Sequence, residues 1–104
     1  HDFLIAPVAP CPAFKNDQLE GMDAYAPGRS TSIDGVKRPY ADFFFWAHFA
    51  ILAGLPSVAV PTGLSTEGTP LGIQVMGPRM KDQHVIQFAE MFSQAFGSSL
   101  PSPP

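Results

Sequence analysis

The segment Trp46-Ala-His-Phe-Ala-Ile-Leu-Ala-Gly-Leu-Pro-Ser-Val-Ala-Val-Pro-Thr-Gly63 constrains the fold more than any other. Its first part is apolar almost all round, as a buried helix would be. Gly54 can terminate a helix there, and Pro56 prevents its resumption. Ser57 to Val60 then reads as a brief strand closed by Pro61-Thr-Gly63. Ser65 to Thr69 reads as a turn, and Leu71 to Met76 as the next strand. Gly72 and Gly77, in and just after that strand, suggest close backbone approach or a bulge. Helical and strand patterns that alternate in this way imply an α/β chain.

The flanks extend the pattern. Asp2 to Pro7 reads as a short buried strand, and Pro7, Pro10 and Pro12 force an extended path after it. Phe14 to Pro27 is polar and mixed, which predicts a surface loop. Arg29 to Ile33 and Val36 to Pro39 flank Asp34-Gly35, a pair suited to a two-residue hairpin turn. Tyr40 to Ala53 is predicted helical with Asp42 as its N-cap, and burial is expected on most of its sides. The clearest helix starts at Asp82, a candidate cap. Val85, Phe88, Ala89, Phe92, Ala95 and Phe96 form one apolar stripe, and Gly97 can stop it. Residues 1–97 are therefore read as the folded unit. Residues 98–104, rich in Ser and Pro, are read as a disordered tail.

Only 14% of the 104 residues are charged, while 45% are hydrophobic and nine are phenylalanine. An ordinary chain is about a quarter charged. Either the core is compact and rich in Phe, or part of the apolar surface belongs against other protein. Homo-oligomers are compatible with the second option. A net charge of -3 and the lack of a basic stripe speak against nucleic acid. No apolar run is long enough for a membrane span, and no signal peptide is read. Cys11 is the single cysteine, so no internal disulfide is expected. A cytoplasmic location fits that usage.

Candidate chemistry is sparse. His1, His48 and His84 share no metal-ligand spacing, with or without Cys11, so no metal is expected. His48 lies in an apolar helix and is read as a core histidine; His84 is read as solvated. Gly63 and Gly68 have phosphate-loop spacing, but Thr69-Pro70 stands where Lys and a hydroxyl are required. No Gly-x-Ser-x-Gly elbow is present. Cys11 has no histidine close in sequence to activate it, and a thiol without an activator is a poor nucleophile. Asp17, Glu20 and Asp23 are read as loop-solvating carboxylates. No catalytic residue and no cofactor is assigned. Trp46 is the one candidate substrate-binding residue. Its ring suits a core anchor or the wall of an apolar pocket.

Gly54-Leu-Pro56, Pro61-Thr-Gly63, Gly72-Ile-Gln74 and Gly77-Pro78 followed by Asp82 occur in an order that resembles the C-terminal end of the amidase signature family. Asp2-Phe-Leu-Ile-Ala-Pro-Val resembles that family's strand with a terminal Pro. Arg29, Gly35 and Pro39-Tyr40 before Trp46 resemble a branch with a short hairpin and a Trp-bearing helix. Many relatives carry Asn three residues before the Gly-x-Pro turn, where this chain has Ile51. The resemblance implies the C-terminal part of a mixed β-sheet covered by helices. It implies carboxamide hydrolysis by a Ser–Ser–Lys triad, in which a lysine acts through a bridging serine on the nucleophilic serine. Those residues belong to a Gly/Ser-rich core upstream of the region represented here. Ser98-Ser99 lacks its flanking glycines, and Lys15, Lys37 and Lys81 match no triad position.

Two functions remain in view. In one, the chain is the C-terminal scaffold and pocket wall of an amidase, with Trp46 beside the acyl pocket. Its partners are then the remainder of the amidase domain and, in the complete enzyme, a small amide substrate. In the other, it is a non-enzymatic α/β module or degenerate remnant that binds a partner through its apolar face.

Overall fold

A computed structural model describes residues 2–14 and 28–97. Of the loop expected over Phe14–Pro27, residues 15–27, with Lys15, Asp17, Glu20 and Asp23, lie outside the described residues, as do His1 and residues 98–104. The elements are β1 (Leu4–Pro7), β2 (Ser30–Ile33), β3 (Val36–Pro39), a 3-10 turn (Tyr40–Phe44), α1 (Phe45–Ala53), β4 (Ser57–Leu64), β5 (Pro70–Met76) and α2 (Asp82–Phe96). The α/β class is as the sequence implies.

β5 is the centre of a three-stranded sheet ordered β1-β5-β4. Both pairings are antiparallel, and Leu4 and Ser57 each lie opposite Met76. Alternation along a strand sends successive side chains to opposite faces. Val58, Val60, Ile73 and Val75 therefore share one face, and α2 covers it with Val85, Ala89, Phe88 and Phe92. Phe3 joins this layer by stacking on Phe88, with ring centroids 4.3 Å apart. Val75 and Val85 are fully out of water, which contributes about 1.5–3 kcal/mol for each. Ala6 and Met76 occupy the opposite face, where Ala50 of α1, Trp46 and Leu55 pack on them. The sheet is thus a slab between two helices.

Gly77 shows why the α2 side closes so tightly. A Cβ at Gly77 would collide with Cγ2 of Val85, and the Phe3 ring lies 3.4 Å from the same point. Only a residue without a side chain lets the end of β5 meet the first turn of α2.

The hairpin is as its turn chemistry predicts. Asp34 (φ 51°) and Gly35 (φ 76°) both take positive φ, and Ser30–Ile33 pairs with Val36–Pro39. The hairpin is tied to the 3-10 turn, because the Tyr40 N–H donates to the Arg29 carbonyl at 3.0 Å. The Arg29 guanidinium carbon also sits 4.0 Å from the Tyr40 ring centre, a cation–π arrangement.

Several expectations are corrected. The helix expected over Tyr40–Ala53 is helical throughout, but its first five residues are 3-10. Asp42 lies inside that turn, where its carbonyl accepts the Phe45 N–H, so its side chain caps nothing. Asp82 is the first residue of α2 instead of its cap, and Lys81 precedes it without a side-chain cap. In that first turn the carboxylate still opposes the positive helix end. β4 does not close at Pro61 but runs on to Leu64. Its register shifts between Pro61 and Gly63, which leaves Thr62 as the extra residue of a bulge. A bulge is one of the few sheet positions that tolerates proline. Ala95 and Phe96 of the α2 stripe are exposed in the last turn.

The largest correction concerns α1. The sequence predicts burial on most sides, yet Ala50 is its one buried residue. Leu52 is 85% exposed, Ile51 70%, Phe45 56% and Phe49 45%. The sheet offers α1 a single face, and among the described residues nothing covers the other.

Candidate functional site

Trp46 sits in the first turn of α1 and is half-buried. It packs with Leu55 against the cluster of Ala6, Ala50 and Met76. Its ring meets Phe45 edge-on at 5.3 Å and stacks near Phe49 at 5.8 Å. The side chain therefore anchors α1 to the sheet and lies beside two phenylalanines.

Gln74 fixes this arrangement. It points from β5 toward α1 and is only 6% exposed. Its Nε2 donates to the Pro7 carbonyl at 2.9 Å and to the Trp46 carbonyl at 3.0 Å. Its Oε1 accepts from the Ser57 hydroxyl at 3.3 Å. One buried amide thus joins the end of β1, the start of β4 and the first turn of α1. Burial without such partners is costly for an amide, so the three bonds make its position possible. The sequence marks Gly72-Ile-Gln74 as a motif but gives Gln74 no role. The available signal is a lone amide inside an apolar strand, which must find partners.

The Cys11 region forms an open concavity of about 640 Å³, bounded by Val8, Pro10, Cys11, Phe43, Val60 and Leu71 among others. Cys11 is a free, partly exposed thiol. Among the described residues no histidine or carboxylate lines the concavity. Trp46, the one candidate from the sequence, does not line it.

A second concavity of about 490 Å³ lies on the outer side of α1, formed by Phe45, His48, Phe49, Leu52 and Ala53. His48 is here instead of in the core. It is half-buried, and its ring is tilted 6.5 Å from that of Phe44. The expected core position fails because His48 falls outside the strip of α1 that meets the sheet. His84 is exposed in the first turn of α2, as expected.

Hydroxyls are used structurally. Ser57 is bonded to Gln74. Ser65 Oγ accepts the Glu67 and Thr69 N–H groups and lies 2.7 Å from Thr69 Oγ1, which closes the turn between β4 and β5. Lys37 and Lys81 are exposed on β3 and just before α2. Among the described residues no group of three or more His, Cys, Asp or Glu is placed to hold a metal ion. No helix among them is long and apolar enough to cross a membrane. What these residues offer is an ordered sheet, two apolar concavities and a Trp-bearing helix.

The family model described as Amidase matches residues 1–86. The chain is 35% identical over 96 residues to the A subunit of glutamyl-tRNA(Gln) amidotransferase from Chlamydia abortus. That alignment covers 92% of this chain and 16% of the relative. The protein of the same name from Ralstonia pickettii is 35% identical over 94 residues, covering 90% of this chain and 16% of the relative. That from Treponema denticola is 30% identical over 95 residues, with 90% and 16% covered. The chain therefore spans well under a fifth of the length of these curated relatives.

Proposed function

The chain belongs to the amidase family, and we propose that it is the C-terminal scaffold and pocket-wall segment of an amidase. The complete enzyme hydrolyses a carboxamide C–N bond. Its Ser-Ser-Lys residues lie upstream of this chain, where a lysine acting through one serine activates the other. Residues 1–97 form the structural part, and residues 98–104 are a tail. One observation supports this reading most. A chain matched by the family over 86 positions has a helix–sheet–helix framework whose one thiol sits in a concavity that no histidine or carboxylate among the described residues lines.

In this reading β5 is the rigid element. Gln74 holds Trp46 against the sheet, and the Trp46 ring forms part of the acyl-pocket wall. A pocket wall held by a buried hydrogen-bond network excludes water and orients an acyl group without taking part in bond cleavage. The partners are the rest of the amidase domain and a small amide. The relatives' name, an amidotransferase subunit, fits a parent that handles amides in company with other subunits. A cytoplasmic location belongs to the same reading.

The test is a graft. This chain replaces the matching segment of the Chlamydia abortus protein, and ammonia release from simple carboxamides is measured. The graft is expected to hydrolyse amides, and Trp46→Ala to raise KM for bulky acyl groups with a smaller change in kcat. A graft that folds but has no activity, or in which Trp46→Ala leaves KM unchanged, counts against the scaffold or the pocket role respectively.

A further inference from the structure

The two helices differ in what their far faces carry. The solvent side of α2 presents Asp82, Gln83, His84, Gln87, Glu90 and Gln94, all exposed, with Ile86 and Met91 exposed singly among these polar side chains. That is an ordinary water-facing surface. The far side of α1 presents Phe45, Phe49 and Leu52 at i, i+4 and i+7, with Ile51 beside them. His48, half-buried, is the only polar side chain of the helix. Between these side chains lies a shallow, open depression of about 490 Å³. Exposed apolar surface of this kind marks a contact. The curated relatives are long enough to supply its cover, since this chain corresponds to 16% of the length of the Chlamydia abortus protein.

We propose that the outer stripe of α1, formed by Phe45, Phe49 and Leu52, is the seat of an apolar segment from the remaining polypeptide of the amidase domain. The proposal rests on the functional reading above. Its occupant is a helix or strand of the same enzyme with an apolar side of matching length. The far face of α2 stays in water in the complete domain. α1 is thus the layer between the sheet described here and the rest of the enzyme, with Trp46 on its inner side and the docked segment on its outer side.

Thiol labelling reads this without reference to activity. In a Cys11→Ser background, Leu52→Cys reports on the outer stripe of α1, Glu90→Cys on the far face of α2 and Val85→Cys on the folded core. Each is compared between the isolated chain and the graft in the Chlamydia abortus protein, using a maleimide probe. In the graft the Leu52→Cys variant is expected to label at least tenfold more slowly than in the isolated chain. Glu90→Cys is expected to label fast in both settings and Val85→Cys slowly in both. Equal, fast labelling of Leu52→Cys in both settings overturns the proposal. Slow labelling already in the isolated chain also overturns it, in favour of a second copy if the mass is dimeric, or of this chain's own residues 15–27 or 98–104 if it is monomeric. If Val85→Cys labels fast in the graft, the comparison is repeated by mixing the isolated chain in trans with the rest of the Chlamydia abortus protein. Protection of Leu52→Cys there supports the seat, and no protection overturns it. Because ammonia release is measured separately, a protected but inactive graft counts against the functional reading and leaves the seat standing.

Discussion

The side-chain amide of Gln74 donates to the main-chain carbonyl of Trp46 at 3.0 Å, across 28 positions of sequence. The same nitrogen holds Pro7 at 2.9 Å. A single side chain on β5 therefore sets the distance from the sheet to the helix that carries the indole.

Replacing Gln74 by Leu keeps the volume but leaves the carbonyls of Pro7 and Trp46 without these donors. Each lost partner in a buried setting costs about 1–3 kcal/mol. Urea unfolding is expected to show a loss of about 3 kcal/mol. Gln74→Glu is expected to cost at least as much, since a carboxylate cannot donate to either carbonyl. A loss below about 1 kcal/mol for Gln74→Leu would remove the amide from its central position.

Gly77 and Val85 are coupled. Gly77→Ala places a methyl against Val85 Cγ2, and overpacking of this kind costs about 1–3 kcal/mol. Val85→Ala removes the obstructing methyls and by itself opens a cavity at a fully buried position. The double variant is expected to be more stable than the sum of the two losses predicts, by about 1 kcal/mol or more. Strict additivity in a double-mutant cycle would contradict the contact.

At the hairpin, Gly35 has φ 76°. Gly35→Ala forces an L side chain into the left-handed region, at about 1–2 kcal/mol. The effect is local. Amide exchange at Ile33 and Val36 is expected to accelerate by roughly fivefold or more, while α2 amides keep their protection.

How far these features can be read from sequence depends on the range of the interaction. The hairpin is legible because Asp34-Gly35 satisfies a two-residue turn by itself. α2 is legible because its stripe carries its own period. The bulge at Thr62 is not, because Pro61 reads as a strand end until β5 is seen to pair beyond it. The 3-10 start of the helical stretch is hidden for a related reason. The hydrogen bond from Tyr40 to Arg29 sets the entry into the helix from the hairpin, and the sequence between them does not encode it locally. Composition shows that α1 is apolar on nearly every side. It cannot show that only the side of Trp46 and Ala50 finds a partner here. Gln74 is visible as part of a motif, but its three bonds reach residues 17, 28 and 67 positions away. Only the strand order brings those residues together.

Trp46 separates anchoring from pocket formation. In the isolated chain, Trp46→Ala removes a half-buried ring from Ala6, Ala50 and Met76. A loss of about 2 kcal/mol is expected, below the ~3–5 kcal/mol of a fully buried aromatic. Trp46→Phe is expected to recover most of that stability. In the graft, Trp46→Phe should still raise KM for bulky acyl amides. If KM follows stability alone across the two variants, the indole is an anchor and not a wall.

The most direct measurement is ammonia release from simple carboxamides by the purified 104-residue chain alone, set beside the graft that supplies the upstream polypeptide. The expected result is no release above buffer from the isolated chain and turnover by the graft. Hydrolysis by the isolated chain that disappears on a point substitution within it, Cys11→Ser above all, would place catalytic machinery inside this segment and contradict its assignment as a scaffold.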